Sequence, residues 1–289
     1  MKATPLLTGW TCRHLGDTAP GRPVTLPHDA MLAEPRTALS AGGVNTGWYE
    51  GYDYEYQRTL TVPENELSDT HILEFEGVYH NAEVWLNGQK AAFHPYGYTN
   101  FYVDCAPFLR AGDNELRVIA RNADQPNSRW YSGAGLYRPV QLWTAGDKHI
   151  LLNGVRIRTV SLEPAVVEIR VRTSAPGTVQ LMLEGLPTVR KESDGEAVFT
   201  LTIDNASLWT PETPNLYRCR VQFADDEAVE TFGVRTVSWG KNGFTLNGER
   251  VIIQGACIHH DNGLLGAVCD LDAPSLLRSF RCIVLRCAC

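Results

Sequence analysis

Polar and apolar residues alternate along most of this chain, and this pattern predicts β-strands rather than helices. In the segment AVVEIRVRTS, Val167, Ile169 and Val171 alternate with charged residues, as in a strand with one buried face. The segments GTVQLMLEG, AVFTLTI and LYRCRVQF repeat the pattern. Turn-forming residues separate such segments about every 8–12 residues, which is typical of β-sandwiches. The sequence therefore predicts an all-β fold.

The chain changes character near the segment WTAGDKH, residues 143–149. The part before it is rich in aromatic side chains and contains Asn87-Gly88 between alternating segments, a strong hairpin signal. The part after it is a series of plain alternating strands of about the size of an immunoglobulin-like sandwich. We therefore expect three segments, with bounds at 1–147, 148–238 and 239–289.

Composition restricts the classes of partner. Asp and Glu number 33 against 26 Lys and Arg, the formal net charge is -7, and basic residues form no cluster. Nucleic-acid binding is therefore not expected. The N-terminal residues lack the apolar core of a signal peptide, and no apolar run approaches the roughly 20 residues that span a membrane. We expect a cytoplasmic protein without membrane contact.

The eight cysteines do not predict a metal site or a disulfide framework. Cys12, Cys105, Cys219 and Cys257 are scattered, and we interpret them as reduced thiols that pack as small hydrophobic side chains. The last four cysteines crowd the segment from Cys269 to the end without the paired spacing of structural zinc sites. The sequence implies no cofactor.

Two aromatic segments are candidates for chemistry. In GWYEGYDYEYQRTLTVP, the tyrosines at 52, 54 and 56 share one strand face, and this spacing favours a sandwich core over a surface that stacks on sugars. The segment NSRWYSGAGLYRPVQLW, residues 127–143, is a polar and aromatic loop that runs into a strand. Its composition is equally compatible with a ligand-facing loop and with a structural one.

The segment CIHHDNG contains His259, His260 and Asp261. Three interpretations compete: a metal site, a general acid–base pair, or polar side chains at a strand end that face a pocket. A second ligand cluster, which a metal site would need, is not evident in the sequence. The interpretation as a hydrogen-bonding strand end is therefore favoured.

Seven segments, in this order, resemble the glycoside hydrolase family 2 enzymes, which comprise β-galactosidases, β-glucuronidases and β-mannosidases. They are LPHDAM, GWYEGYDYEYQRTLTVP, LEFEGVYHNAEVWLNGQK, SRWYSGAGLYRPV, LWTPETPNLYRCRV, ETFGVRTVSW and GFTLNGERVIIQGACIHHDNGLLGA. The resemblance covers about residues 24–271 and is closest to the β-galactosidase branch. It implies a jelly-roll-like sugar-binding β-sandwich, then an immunoglobulin-like β-sandwich, then only the first strand region of a TIM barrel, RVIIQGACI.

The resemblance also implies which residues contact a sugar. In the family, the loop that matches PNSRWYSGAG reaches the barrel mouth, so Asn127, Ser128, Arg129 and Trp130 become the candidates of the first domain. The histidine after the first barrel strand corresponds to His259, and Asp261 lies where the family often has an acidic or polar residue. We expect His259 and Arg129 to face a substrate only when a barrel is present.

The resemblance implies that both catalytic glutamates lie on later barrel strands, and a barrel needs roughly 250 residues. The acid/base glutamate of the family usually follows an asparagine. This chain has Asn65-Glu66 and Asn114-Glu115, and we reject both because they lie in the wrong domain. We therefore assign no catalytic residue, and we expect the chain alone to be inactive. The sequence departs from the family pattern after Asp272, which suggests a truncated gene, a frameshift or an incomplete reading, and we expect residues 270–289 to add no packed unit.

Three functions remain open from the sequence. The chain is the N-terminal part of a retaining β-glycosidase of carbohydrate metabolism, a non-catalytic carbohydrate-binding module, or a docking partner for a separately made barrel. The expected ligand in each case is a β-galactoside or a related carbohydrate. An oligomer or a separate barrel fragment would be the protein partner.

Overall fold

The structure is a computed structural model that describes residues 1–241, 243–255 and 265–268. These residues divide into two units. The first unit comprises Lys2–Thr144 with residues 255 and 265–268, and the second unit comprises Ala145–Gln254 with Met1. Strands dominate both units, so the expected all-β class is confirmed. The three segment bounds expected from the sequence stay a prediction.

The first unit contains ten strands. They are β1 (Lys2–Pro5), β2 (Trp10–His14), β3 (Arg22–Val24), β4 (Tyr54–Val62), β5 (Thr70–Phe75), β6 (Ala82–Leu86), β7 (Gln89–His94), β8 (Phe101–Asp104), β9 (Gly112–Ala120) and β10 (Val140–Ala145). One sheet has the order β1-β10-β5-β8, and the other has the order β3-β2-β4-β9-β6-β7. All neighbours in the six-stranded sheet are antiparallel.

Side chains from both sheets form the core of the first unit. Trp10 and Tyr56 from the six-stranded sheet pack in one cluster with Leu73 and Phe75 from the four-stranded sheet. The helices of the described residues are four short 3-10 turns, Ala30–Ala33, Gly43–Thr46, Glu64–Glu66 and Ala106–Phe108. The unit is therefore a β-sandwich whose long loops carry its irregular structure.

The second unit also contains ten strands. They are β11 (Ile150–Leu162), β12 (Ala165–Thr173), β13 (Gly177–Leu183), β14 (Val189–Ser193), β15 (Glu196–Ile203), β16 (Tyr217–Phe223), β17 (Asp226–Phe232), β18 (Val237–Gly240), β19 (Gly243–Leu246) and β20 (Glu249–Val251). The sheets β11-β12-β15 and β14-β13-β16-β17 enclose a second core. Val167, Ile169 and Val171 are buried in it, as their alternation predicts.

The tyrosine-rich segment belongs to the first core. Tyr54 and Tyr56 are buried in strand β4, whereas Tyr52 precedes the strand and is partly exposed. The opposite face of β4 is not simply solvated, because Glu55 is also buried and accepts hydrogen bonds from the guanidinium groups of Arg13 (Nε–Oε1, 2.8 Å) and Arg117 (Nη1–Oε2, 3.4 Å). The interpretation as a sandwich core is confirmed.

Two Asn-Gly turns join neighbouring strands, and the sequence predicts the first of them. Asn87-Gly88 joins β6 to β7, and Asn247-Gly248 joins β19 to β20, with positive φ at all four residues. The segment expected to be the first barrel strand is extended only to Val251, and residues 252–255 are not in a strand. A parallel barrel strand needs hydrogen-bonded neighbours on both sides, whereas within the described residues Arg250 and Val251 pair with β19 alone, and in antiparallel direction.

Cys12, Cys105 and Cys219 are buried free thiols, as expected, while Cys257 lies outside the described residues. Burial raises the pKa of the Cys105 thiol to about 12, so this side chain stays neutral. Within the described ranges, no helix is long and apolar enough to cross a membrane. In the same ranges, His, Cys, Asp and Glu side chains form no group of three that could hold a metal ion.

Candidate functional site

The polar and aromatic loop singled out from the sequence lies in the first unit between β9 and β10, and we call residues 122–138 the Trp130 loop. Its second half is fixed to the sandwich. Gly135 exchanges two backbone hydrogen bonds with Tyr79 (2.8 and 3.0 Å), and the carbonyls of Ala134 and Leu136 accept from the segment that contains His28. Ala134 and Leu136 are fully buried. The second half of the Trp130 loop is therefore held in a fixed conformation by the sandwich.

Asn127 organises the first half of the loop. Its Oδ1 accepts from the hydroxyl of Tyr79 (3.0 Å), and its Nδ2 donates to Oδ1 of the buried Asn122 (2.9 Å) and to the carbonyl of Asp124 (3.0 Å). The same Nδ2 lies 3.0 Å from Nε2 of His80. Both the oxygen and the nitrogen of this side-chain amide already have protein partners. Asn127 therefore has a structural role in the loop, in addition to any contact with a ligand.

Arg129 and Trp130 lie at the outer part of the loop. Arg129 is exposed, and in the described part of the chain it makes no ion pair. Trp130 is half-buried, and its indole Nε1 donates to the hydroxyl of Tyr98 (3.1 Å). Its backbone N–H donates to Oγ of Ser128 (3.3 Å), which holds the turn. The four candidate residues are thus brought together, with the guanidinium directed to solvent and the indole held in place.

Several tyrosine rings pack against one another next to the Trp130 loop. Tyr98 lies 5.3 Å from Tyr79 and 6.2 Å from Tyr137, measured between ring centroids, and Tyr96 lies 5.7 Å from Tyr98 at the exposed side. Burial raises the pKa of Tyr137 to about 12 and that of Tyr98 further still. These hydroxyls remain protonated at neutral pH and cannot serve as bases, and that of Tyr137 donates to the carbonyl of Gly97 (2.8 Å), so the rings have a structural role beneath Trp130.

Asp29 is a candidate site residue that the sequence analysis did not single out. Its Oδ1 accepts from the backbone N–H groups of Met31 and Ala134, each at 3.1 Å. Its Oδ2 accepts from the hydroxyl of Tyr131 (2.7 Å) and from the backbone N–H of Ala267 (2.9 Å). This buried carboxylate therefore ties the Trp130 loop to the segment that follows His259 and Asp261 in the chain.

The electrostatics of Asp29 follow from its burial. Removal from water raises the pKa of this carboxyl, and the N–H of Ala267, the Tyr131 hydroxyl and the other two amides act in the opposite direction. Four donors converge on it without a cation, so the carboxylate is held by hydrogen bonds alone. A local signal existed, since Asp is a preferred N-cap and Asp29 caps the 3-10 turn that contains Met31.

An open cleft of about 430 Å³ adjoins Asp29. His28 lines it together with Leu32, Leu265 and Val268. Burial and the nearby Arg22 lower the pKa of His28 to about 4, so its imidazole is neutral at pH 7 and shares a hydrogen bond with the hydroxyl of Tyr56 (2.8 Å). The cleft does not extend to the four candidate residues of the Trp130 loop.

The two Asn-Glu pairs that were rejected as catalytic lie in a turn and in a strand of the first unit. Asn65-Glu66 lies in an exposed 3-10 turn. Asn114 is fully buried in β9, where its Oδ1 accepts from Asn87 and from the backbone N–H of Arg110. Within the described residues, neither pair shares a side-chain hydrogen bond with the Trp130 loop. His259 and Asp261 lie outside the described residues, so their role stays a prediction.

The chemistry available at the Trp130 loop is binding rather than bond cleavage. Retaining glycoside hydrolysis uses two carboxyl groups about 5–5.5 Å apart. Residues 122–138 contain one carboxylate, Asp124. The loop offers instead an exposed guanidinium and a fixed indole, which are groups that hydrogen-bond to and stack on a sugar ring.

Comparison with known proteins gives the same assignment for both units. Residues 24–159 match the family described as glycosyl hydrolase 2 galactose-binding domain-like, and residues 154–235 match the glycosyl hydrolases family 2 domain. A β-galactosidase from Bacteroides ovatus is 34% identical over 95% of this chain. A β-glucuronidase from Paenibacillus borealis is 27% identical over 90% of it. A crystallised β-glycosidase from Bacteroides vulgatus aligns over 93% of the chain with a TM-score of 0.80 at 27% identity.

These relatives are much longer than this chain. It spans 37% of the B. ovatus β-galactosidase, 47% of the P. borealis β-glucuronidase and 39% of the B. vulgatus β-glycosidase. The matched region is the N-terminal part of these relatives. What the chain shares with them is therefore the region of the two sandwiches.

Proposed function

Because this chain belongs to glycoside hydrolase family 2, we propose that it forms the N-terminal region of a retaining β-glycosidase that hydrolyses β-galactosides. Its first sandwich contributes sugar contacts, and a TIM barrel contributes the catalytic carboxylates. The choice of β-galactosides over glucuronides and mannosides is supported by the galactose-binding description of the first matched family and by the likeness to the B. ovatus β-galactosidase.

The observation that carries the proposal is the fixed Trp130 loop. Trp130 is held by Tyr98, Asn127 holds the turn before it, and Arg129 is left exposed. A sugar ring needs an apolar face and several donors, and a preformed arrangement spares the entropy of ordering them at binding. We assign sugar contacts to Arg129 and Trp130, with Ser128 and Asn127 as the residues that set their position.

The barrel would complete the site. Active sites of TIM barrels lie at the carboxyl ends of their strands. His259 and Asp261 follow the predicted first strand and are proposed to contact the same sugar as Arg129. Asp29 is proposed to hold the Trp130 loop and the segment of Ala267 in a fixed relative position. It accepts hydrogen bonds from Tyr131 and Ala134 of the loop and from Ala267 of the later segment.

Residues 1–289, prepared as a separate polypeptide, are expected to hydrolyse none of the nitrophenyl β-galactoside, β-glucuronide and β-mannoside substrates above the uncatalysed rate. The reason is chemical, because the proposed mechanism needs an acid and a nucleophile that the Trp130 loop does not supply. Turnover that a point mutation within the chain abolishes would contradict the proposal.

Calorimetry on the same polypeptide separates this proposal from a self-sufficient carbohydrate-binding module. We expect millimolar or undetectable affinity for galactose and lactose, because the few contacts of one loop must offset several kcal/mol of lost ligand freedom. Micromolar binding that is lost in both Arg129→Ala and Trp130→Ala would favour the binding-module function instead.

A further inference from the structure

A second cluster of charged side chains lies in the second unit, on the outer face of the sheet β11-β12-β15. A groove of about 470 Å³ runs over this face, within the roughly 300–1,000 Å³ typical of ligand clefts. Its charged lining consists of Arg156, Arg158, Arg170, Arg172, Glu168 and Glu196. We call it the arginine groove. Four guanidinium groups thus face two carboxylates on a chain whose net charge is -7.

The strand register places like charges side by side. Arg156 lies directly opposite Arg170, and Arg172 follows Arg170 on the same face of β12. Like charges directly opposite each other destabilise a sheet. The two carboxylates compensate only part of this charge, because Glu168 contacts Arg158 and Arg170 (both 3.4 Å) and Glu196 contacts Arg170 (3.0 Å).

Two arginines are left without a carboxylate. Glu196 is the register partner of Arg172, yet its carboxylate binds Arg170 instead. Within the described residues, neither Arg156 nor Arg172 forms an ion pair, and the buried Nε–H of Arg172 has no acceptor. The guanidinium charges of Arg156 and Arg172 are therefore not compensated by a carboxylate of the described residues, which favours binding of an external anion in the groove.

We propose that the arginine groove binds an anionic carbohydrate, one that bears carboxylate or sulfate groups along an extended chain. Guanidinium groups bind both kinds of anion in a bidentate manner. Arginines at i and i+2 of a strand are about 6.6 Å apart and those on neighbouring strands about 4.8 Å apart, which suits several separate charges better than one compact ion.

The two glutamates favour a carbohydrate over an acidic polypeptide. Glu168 and Glu196 line the groove beside the arginines and can accept hydrogen bonds from sugar hydroxyls, which are donors that the ionised side chains of an acidic peptide lack. The choice of a carbohydrate also rests on the proposed function. The site is separate from the Trp130 loop, since every lining residue belongs to the second unit.

The test is calorimetry at low salt on the 289-residue chain with a hexameric oligogalacturonate as the probe. The double variant Arg156→Gln/Arg172→Gln is expected to weaken binding about 10-fold or more, because it removes two guanidinium groups that would form charged hydrogen bonds with the anion. Arg190→Gln/Arg218→Gln is the matched control, with the same charge change at exposed positions of the other sheet, and is expected to change affinity less than about 2-fold. Neither variant should lower the unfolding midpoint below that of the parent.

Three results would overturn the inference. They are no binding of oligogalacturonate, an equal loss of affinity in the two double variants, and equally tight, Arg156-dependent binding of poly-glutamate, which would indicate a surface for acidic proteins. A neutral galacto-oligosaccharide of the same length should not bind the groove. The readout is independent of hydrolysis, so failure of the glycosidase proposal would leave this measurement interpretable.

Discussion

Replacement of Gly135 by alanine is expected to destabilise the first unit by about 2–5 kcal/mol. The backbone of Gly135 has φ +88°, where an L side chain is strained by about 1–2 kcal/mol. A methyl group there would also lie well inside contact distance of the hydroxyl of Tyr56 and 2.8 Å from its Cζ. Tyr56 is fully buried and cannot move away. The same glycine fixes the Trp130 loop to Tyr79 through two backbone hydrogen bonds.

Gly112→Ala is the matched control for that prediction. Gly112 has a similar φ of +83° and belongs to the same unit, and a methyl group at this position would meet nothing within 4 Å apart from its own chain neighbours. It should therefore show only the backbone cost of about 1–2 kcal/mol. The two units can unfold in separate transitions, so the readout must report on the first unit alone. The measurement is therefore urea unfolding that is monitored by hydrogen exchange in strands β4 and β9. Equal destabilisation by the two substitutions would show that the packing against Tyr56 contributes nothing.

The second large effect is expected for the Asp29→Asn substitution, which should speed hydrogen exchange at the backbone amide of Ala267. Asparagine can keep one oxygen for Met31 and Ala134, but its NH₂ group cannot accept the hydrogen bond that Oδ2 receives from Ala267. A buried N–H left without an acceptor costs about 1–3 kcal/mol, which corresponds to exchange at Ala267 about 5- to 150-fold faster. Hydrogen exchange resolved by residue measures this directly.

Tyr131→Phe separates the role of the carboxylate from general loosening of the loop. It removes the other donor to Oδ2 and leaves the contact with Ala267 intact, so exchange at Ala267 should stay within about 2-fold of the parent value. If Asp29→Asn leaves Ala267 unchanged, or if Tyr131→Phe accelerates it equally, Asp29 does not position the later segment.

The strands could be predicted from the sequence because alternation and turn residues are properties of short segments. Alternation places Val167, Ile169 and Val171 inside, and the Asn87-Gly88 turn closes its hairpin at the expected residues. The same pattern could not predict that Glu55, on the polar face of β4, is buried. That burial depends on Arg13 and Arg117, which reach Glu55 from neighbouring strands.

The candidate site was predicted only in part. The Trp130 loop was recognised by its composition and its resemblance to a family, and the structure adds that Asn127 is occupied by Tyr79 and Asn122. Asp29 was missed because it lies outside any periodic segment. Three of its four donors are 102, 105 and 238 positions away in the chain, and a single sequence contains no signal for such contacts.

The most direct test of the central claim is the activity of a chimera. Residues 1–239 of this chain would replace the matching N-terminal region of the B. ovatus β-galactosidase, whose own barrel then supplies the catalytic carboxylates. We expect the folded chimera to hydrolyse nitrophenyl β-galactoside. Arg129→Ala and Trp130→Ala should raise its KM about 10-fold with a smaller change in kcat, because a lost charged hydrogen bond or stacking contact costs about 1.5–3 kcal/mol.

Arg190→Ala, an exposed arginine of the second unit, is the control and should leave KM unchanged. A chimera that folds and hydrolyses the galactoside, with KM raised only by the Trp130-loop variants, is the result that this account predicts. A folded chimera without activity, or Arg129 and Trp130 variants indistinguishable from Arg190→Ala, would contradict it.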